Sequence, residues 1–132
     1  MKIEKETFRE PWNEASFIQR HIVEPNLFVV AEKHMQIVAY IVGSVELIRQ
    51  PLGHVMNLAV KKCMRRRGIG SMLLDRLEDL FRERKVQTAY LEVRKSNKEA
   101  IRMYQKRGFK AVRNLPRYYP NEDGLLMTKH IS

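Results

Sequence analysis

The sequence predicts a single mixed α/β domain, in which a largely antiparallel sheet carries helices on both faces. Three observations lead to that class. Runs rich in Val, Ile, Phe and Tyr recur along the chain and are interrupted by two stretches of helical period. A turn built of arginine and glycine stands between an apolar run and the first strongly amphipathic stretch, as strand-to-helix connections do. No repeat, low-complexity tract or Pro/Gly/Ser-rich linker divides the 132 residues. A chain of that length is the size of one domain and buries about two-thirds of the surface its unfolded form exposes.

Taken in order, Glu14 to His21 reads as a helix capped by Asn13, with Ala15, Phe17, Ile18 and Ile22 inward and Pro25 ending it. Leu27 to Glu32 and Gln36 to Leu47 read as a hairpin broken at Lys33 and His34. A turn at Pro51 and Gly53 leads into a strand from His54 to Lys61. From Gly68 to about Lys85, the positions Ile69, Met72, Leu73, Leu77 and Leu80 share one helix face, while Arg76, Asp79 and Arg82 look away. Thr88 to Arg94 alternates, with Ala89, Leu91 and Val93 on one side and Tyr90, Glu92 and Arg94 on the other. Glu92 therefore stands apart from the apolar face. A second helix, Asn97 to Arg107, buries Ala100, Ile101 and Tyr104 and stops at Gly108. Phe109 to Val112 and Leu125 to Ile131 close the sheet through the polar, proline-bounded segment Arg117 to Gly124.

Composition narrows the function classes. A net charge of +10 favours polyanionic partners: nucleic acid, a ribosome or a phosphate-rich cofactor. Aromatic residues do not alternate with the basic ones as on single-strand stacking platforms, so a merely solvated basic surface fits as well and direct nucleic-acid binding is not the favoured expectation. The longest apolar run, Ile37 to Val42, is too short to span a bilayer, and the start MKIEKETF has charges where a signal peptide needs an apolar block. The expectation is a cytoplasmic protein with no membrane association. Cys63 is the one cysteine, which excludes an internal disulfide, and His21, His34, His54 and His130 lack the paired spacing of a metal site. No metal is expected.

The stretch RRRGIGSMLLDRLEDL, Arg65 to Leu80, has the layout of an anion site. Gly68 and Gly70 let the backbone turn tightly, so several N–H groups can face one ligand at a helix N-terminus. The spacing is neither that of the nucleotide P-loop nor that of the dinucleotide fingerprint. A glycine-rich connector with solvated arginines remains the plain alternative.

Four motifs in order complete the picture: Asn57-Leu58-Ala59-Val60, then Arg65-Arg66-Arg67-Gly68-Ile69-Gly70, then LEVRxSNxxAIxMYxxxGF from Leu91 to Phe109, and Tyr118-Tyr119-Pro120. On them the chain resembles the GCN5-related N-acetyltransferases, and within these the RimI-like group acting on N-terminal α-amines, over about residues 8 to 128. The resemblance implies a sheet splayed between the family's fourth and fifth strands, with acetyl-CoA in the gap. It makes Leu58, Ala59, Val60, Arg65, Arg66, Arg67, Gly68, Ile69, Gly70, Ser71, Asn97 and Tyr104 its binding residues. Leu58 N–H then polarises the acetyl carbonyl, Glu92 is the base and Tyr104 the acid that protonates the leaving thiolate. Tyr118 and Tyr119 line the peptide entrance or simply pack, and Phe8 and Trp12 border the acceptor or, the favoured reading, pin the first helix. Cys63 is read as structural, since the family transfers directly.

By the same resemblance the acceptor is a protein or peptide N-terminus, with a ribosomal protein among the options. A small amine or a lysine side chain is the alternative acceptor, and a non-catalytic ribosome- or RNA-binding module the alternative role. Two departures stand before the phosphate loop, Lys62 and Met64 in place of a proline and an aromatic. The family's first strand is either missing, leaving an edge that a partner chain covers in a dimer, or abbreviated in Lys2 to Phe8.

Overall fold

The computed structural model describes the backbone of residues 4–9, 15–21, 26–47 and 49–131, and side chains within 27–47 and 49–131. Among these described residues eight strands form one sheet: β1 (Glu4–Arg9), β2 (Ala15–His21), β3 (Asn26–Lys33), β4 (Gln36–Leu47), β5 (Pro51–Val60), β6 (Thr88–Arg94), β7 (Lys110–Tyr119) and β8 (Glu122–His130). Two helices, α1 (Ile69–Glu83) and α2 (Lys98–Lys106), flank β6 in the chain, and a 3-10 turn at Lys62–Met64 precedes α1. The spatial order is β1-β2-β3-β4-β5-β6-β8-β7, antiparallel except for the parallel pair β5–β6.

The segment expected as the first helix is a strand. Ala15–His21 pairs on one side with β1, Phe17 opposite Phe8, and on the other with β3, Ile18 opposite Val30. A lone eight-residue helix is marginal, whereas two neighbouring strands satisfy the backbone groups of Ser16, Phe17 and Ile18 on both edges. Asn13, Trp12, Ile22 and Pro25 lie outside the described residues. Glu4–Arg9 is a strand, which agrees with the second expectation for the N-terminus, a first strand in abbreviated form.

The turn expected at Pro51 and Gly53 is also strand. Pro51 opens β5, a position where its missing N–H is tolerated, and Gly53 is there because the ring of Phe81 needs the space: a Cβ at Gly53 would sit 2.7 Å from it. The expected strand at Phe109 to Val112 continues to Tyr119, so the link to β8 tightens to a turn in which Asn121 takes a positive φ of 64°. The hairpin between β3 and β4 turns at His34 and Met35, both at positive φ, in the left-handed manner such two-residue turns require.

One core cluster forms on the face of Ala89, Leu91, Val93 and Met127, closed by Leu73, Leu77 and Phe81 of α1 and by Ile101 and Tyr104 of α2. Glu78, buried in α1, is met by Lys129 Nζ of β8 at 2.7 Å, and Arg107 after α2 reaches Asp75 of α1 at 2.9 Å. Both helices thus lie on one face. The sequence expectation of helices on both faces therefore meets a single helical layer among the described residues, because the segment that would have supplied the other is β2.

The parallel pair β5–β6 joins only Leu52, Gly53 and His54 to Thr88, Ala89 and Tyr90. Beyond His54 the strands part. A bulge in the β4–β5 ladder, where Val42 faces Asn57 but Gly43 faces Val55, bends β5 at the same level. Among the described residues no helix is long and apolar enough to cross a membrane.

Candidate functional site

The N-terminus of α1 is open to a ligand. Its first ladder bond runs from Met72 N–H to the Gly68 carbonyl, so the N–H groups of Ile69, Gly70 and Ser71 come before the helix can use them. Gly68, at φ 77°, caps the helix without a side chain, and the first turn carries no acidic residue. These groups, with the partial positive charge of the helix end, face a cavity of about 620 Å³.

Leu58, Ala59 and Val60 of β5 form one wall of that cavity, Arg65, Arg66, Gly68, Ile69, Gly70 and Ser71 its floor, and Asn97 stands at its α2 side. Arg67 and Tyr104, expected with them, are not in the lining. Lys61 N–H bonds back to the Val38 carbonyl of β4 at 2.7 Å, and strand alternation then turns the backbone groups of Leu58 and Val60 away from β4, toward the gap. The Val60 carbonyl accepts from Arg65 Nε at 3.1 Å, consistent with that direction. Asn97 spends its side-chain oxygen on the Ala100 N–H at 3.1 Å, the N-cap of α2.

Sequence reading missed the wall that α2 contributes. Glu99, Arg102, Met103 and Lys106 line the cavity at successive offsets of three, four and seven, a stripe that helical period alone could have found. With Arg65 and Arg66 they make the lining cationic, which suits a polyphosphate, and the volume is in the range of small-molecule sites.

Past the splay, on the sheet face away from the helices, lies a second group of residues. Glu92 Oε1 is 2.6 Å from His54 Nε2, both side chains 19% exposed. The His54 ring lies on that of Tyr90, centroids 4.4 Å apart and planes 3° apart. Tyr90 donates to Glu46 Oε1 at 2.6 Å, and burial, then that bond, raises its pKa well above the usual phenol value. Tyr118 comes to the Glu92 carboxylate from the end of β7, and the negative charge of Glu92, ahead of burial, raises its pKa. Tyr119 packs edge-on against Tyr118 at 4.9 Å and holds the guanidinium of Arg94 over its ring at 4.5 Å. Tyr118, Tyr119 and Glu92, each singled out in the sequence, thus meet; His54, Tyr90 and Glu46 did not stand out there, because strand alternation places them on one face without saying which cross-strand neighbours they meet.

Tyr104 sits in α2, 7% exposed, edge-on to Phe109 at 5.8 Å. Burial, and then the nearby Tyr119, push its pKa up to about 12, so its phenol holds the proton at neutral pH. Cys63 is exposed, in the turn before α1. Among the described residues no three or more His, Cys, Asp or Glu side chains are grouped to hold a metal ion.

Comparison with known proteins adds to this geometry. Residues 1–109 match the model of the Acetyltransferase (GNAT) family. An uncharacterized N-acetyltransferase of Methanocaldococcus jannaschii is 39% identical over 97% of this chain and 81% of its own. The ribosomal protein bS18-alanine N-acetyltransferase of Salmonella typhimurium is 35% identical over 99% of this chain and 88% of its own. The crystal structure of Ard1 from Thermoplasma volcanium superposes with a TM-score of 0.75 at 36% identity, covering 80% of this chain and 70% of that one.

Proposed function

The chain belongs to the acetyltransferase (GNAT) family, and on that premise we propose that it transfers an acetyl group from acetyl-CoA to the N-terminal α-amine of a protein or peptide. The observation that carries this reading is the parting of β5 and β6 after His54, which leaves strand edge on one side and Glu92 on the other. A similar protein from Salmonella typhimurium is named for acetylating an alanine of ribosomal protein bS18, and that makes a ribosomal protein a fitting acceptor here.

Leu58 and Val60 turn toward the gap the backbone groups that β4 does not use, and an extended amide chain can bond there as an added strand does, sharing the Val60 carbonyl with Arg65. The open end of α1, with Arg65 and Arg66 beside it, holds the pyrophosphate, and the basic stripe of α2 neutralises the remaining phosphate charge. The N–H of Leu58 donates to the acetyl oxygen as that oxygen gains charge.

The acceptor α-amine has a pKa of about 8 and is largely protonated at neutral pH. Glu92 takes one of its protons, directly or through a water, and frees the lone pair that forms the new C–N bond. As the C–S bond breaks, Tyr104 gives its phenolic proton to the sulfur and is reprotonated from solvent, while one of the two protons left on the attacking nitrogen passes to solvent and the other stays as the amide N–H. Tyr118 and Tyr119 border the entry of the peptide.

The test has two parts. Acetyl-CoA present at a hundredfold its dissociation constant should stabilise the protein by about 2.7 kcal/mol. Incubation with peptides that differ only in their first residues, followed by mass spectrometry, should locate the acetyl group on the α-amine. Acetylation confined to lysine side chains, or no stabilisation by acetyl-CoA, would overturn the reading.

A further inference from the structure

We propose that the acceptor chain, beyond its α-amine, lies across the open sheet face from β6 to β7, where Arg113 and Lys110 select N-termini with acidic residues a few positions in. The proposal deepens the reading of Glu92 as the group that meets the α-amine, and rests on it.

The ladders set the route. Glu92 of β6 stands opposite Leu126 of β8, and Leu126 opposite Arg113 of β7, so the three share the sheet face away from the helices. The next row on that face runs from Tyr90 through Thr128 to Lys110. In an unbroken strand Lys110 and Arg113 would point to opposite faces; the bulge at Val112 supplies the extra residue that puts both cations on this one. Tyr118 walls the route on its other side. It reaches the Glu92 carboxylate from the end of β7 and crosses β8 at Gly124, where an added Cβ would lie 3.3 Å from its own Cβ. The row between, floored by Leu126, leads away from the splay, where acetyl-CoA lies in the proposed reaction.

Charge decides what the route takes. Arg113 and Lys110 are exposed, and among the described residues neither side chain is paired with a carboxylate. The cations around them are engaged: Arg94 by Glu122, Arg107 by Asp75 and Lys129 by Glu78. Neighbouring strands lie about 4.8 Å apart, and an extended chain advances about 3.3 Å per residue. The two strand spacings from Glu92 to Arg113 are therefore crossed in about three residues, which brings the fourth or fifth acceptor residue beside the cations. A carboxylate there is attracted and an ammonium repelled, while the α-amine still meets Glu92.

Initial rates on three peptides test this, each beginning with the residue that the peptide panel favours and differing only at the fourth and fifth positions, which carry glutamate, serine or lysine. In the wild type kcat/KM should fall in that order, roughly five- to twentyfold from first to last, through KM and less so at high salt. Arg113→Glu should level the three, and Arg113→Glu combined with Lys110→Glu should reverse the order, with acetyl-CoA affinity by calorimetry unchanged in both. Equal kcat/KM for the three peptides in the wild type, or the wild-type order kept in the double variant, would overturn the proposal. A flat preference together with salt-sensitive binding of an RNA oligonucleotide that the double variant loses would overturn it too, and assign the two cations to nucleic acid. If the panel shows no α-amine acetylation at all, the underlying reading fails instead, and the proposal falls with it.

Discussion

The imidazole of His54 lies flat on the phenol of Tyr90, 3° from parallel, while the Tyr90 hydroxyl points to Glu46 two strands from its own. One residue thereby locks a ring from β5 and a carboxylate from β4. Replacing Tyr90 by Phe keeps the stack and removes the bond to Glu46. The expected loss is about 1–2 kcal/mol, typical of a partly buried hydrogen bond to a charged group, read as a lower denaturation midpoint with unchanged slope. An unchanged midpoint would show that Glu46 is satisfied by water instead.

Glu92→Gln conserves shape and removes the proposed acceptor of the amine proton. Turnover is expected to fall about a hundredfold or more, the usual weight of a general base, with acetyl-CoA affinity intact. Steady-state rates and calorimetry on the same preparation check both halves. Equal activity across the pH range would remove Glu92 from that role.

Tyr104 makes stability depend on alkaline pH. Burial first, then Tyr119, raise its folded pKa to about 12, against about 10 in an unfolded chain. Between those values the folded state binds more protons than the unfolded one, so its contribution is full below pH 10 and is lost as pH rises toward 12. Tyr104→Phe should flatten that part of the stability curve, measured by denaturant titration from pH 9 to 11. It should also lower turnover more than acetyl-CoA affinity; unchanged steady-state rates would end the acid role.

Gly53 is where strand and helix come closest. Its added Cβ would lie 2.7 Å from the Phe81 ring, itself fully buried and unable to retreat. Gly53→Ala is therefore expected to destabilise by about 1–3 kcal/mol through overpacking, despite the better strand propensity of alanine. Thermal denaturation checks it, and a gain in stability would mean that α1 shifts freely on the sheet.

Much of this arrangement is legible from the chain because local pattern and tertiary role agree. Thr88–Arg94 alternates cleanly and is strand β6 to the residue; Asn97 and Gly108 bound α2 as a cap and a C-terminal glycine should. Where the two disagree, the sequence is mute. Ala15–His21 has a helical apolar spacing that two strand neighbours override, and Gly53 reads as a turn until Phe81, twenty-eight positions away, is known to press on it. The cavity at the N-terminus of α1 is half visible in the sequence: the glycine loop announces itself, whereas the α2 stripe needs only the helical period to be continued on its polar side. The pairing of His54 with Glu92 spans thirty-eight positions and two strands, and no local pattern encodes it.

Gly68 carries two burdens that separate in a mutant. Its φ of 77° is a conformation that β-branched residues take up only under strain, so Gly68→Val should destabilise the protein by about 1–3 kcal/mol whatever surrounds it. A Cβ there meets no atom within 4 Å, so the protein itself does not resist the added bulk. The same open space, at the N-terminus of α1, is what phosphate oxygens must approach to reach the N–H groups of Ile69, Gly70 and Ser71. Acetyl-CoA affinity is therefore expected to fall at least tenfold in Gly68→Val. Gly68→Asn, which tolerates the left-handed backbone, should restore most of the stability but only part of the affinity. Calorimetry and denaturation on both variants check the separation, and normal affinity in the valine variant would place the phosphates elsewhere.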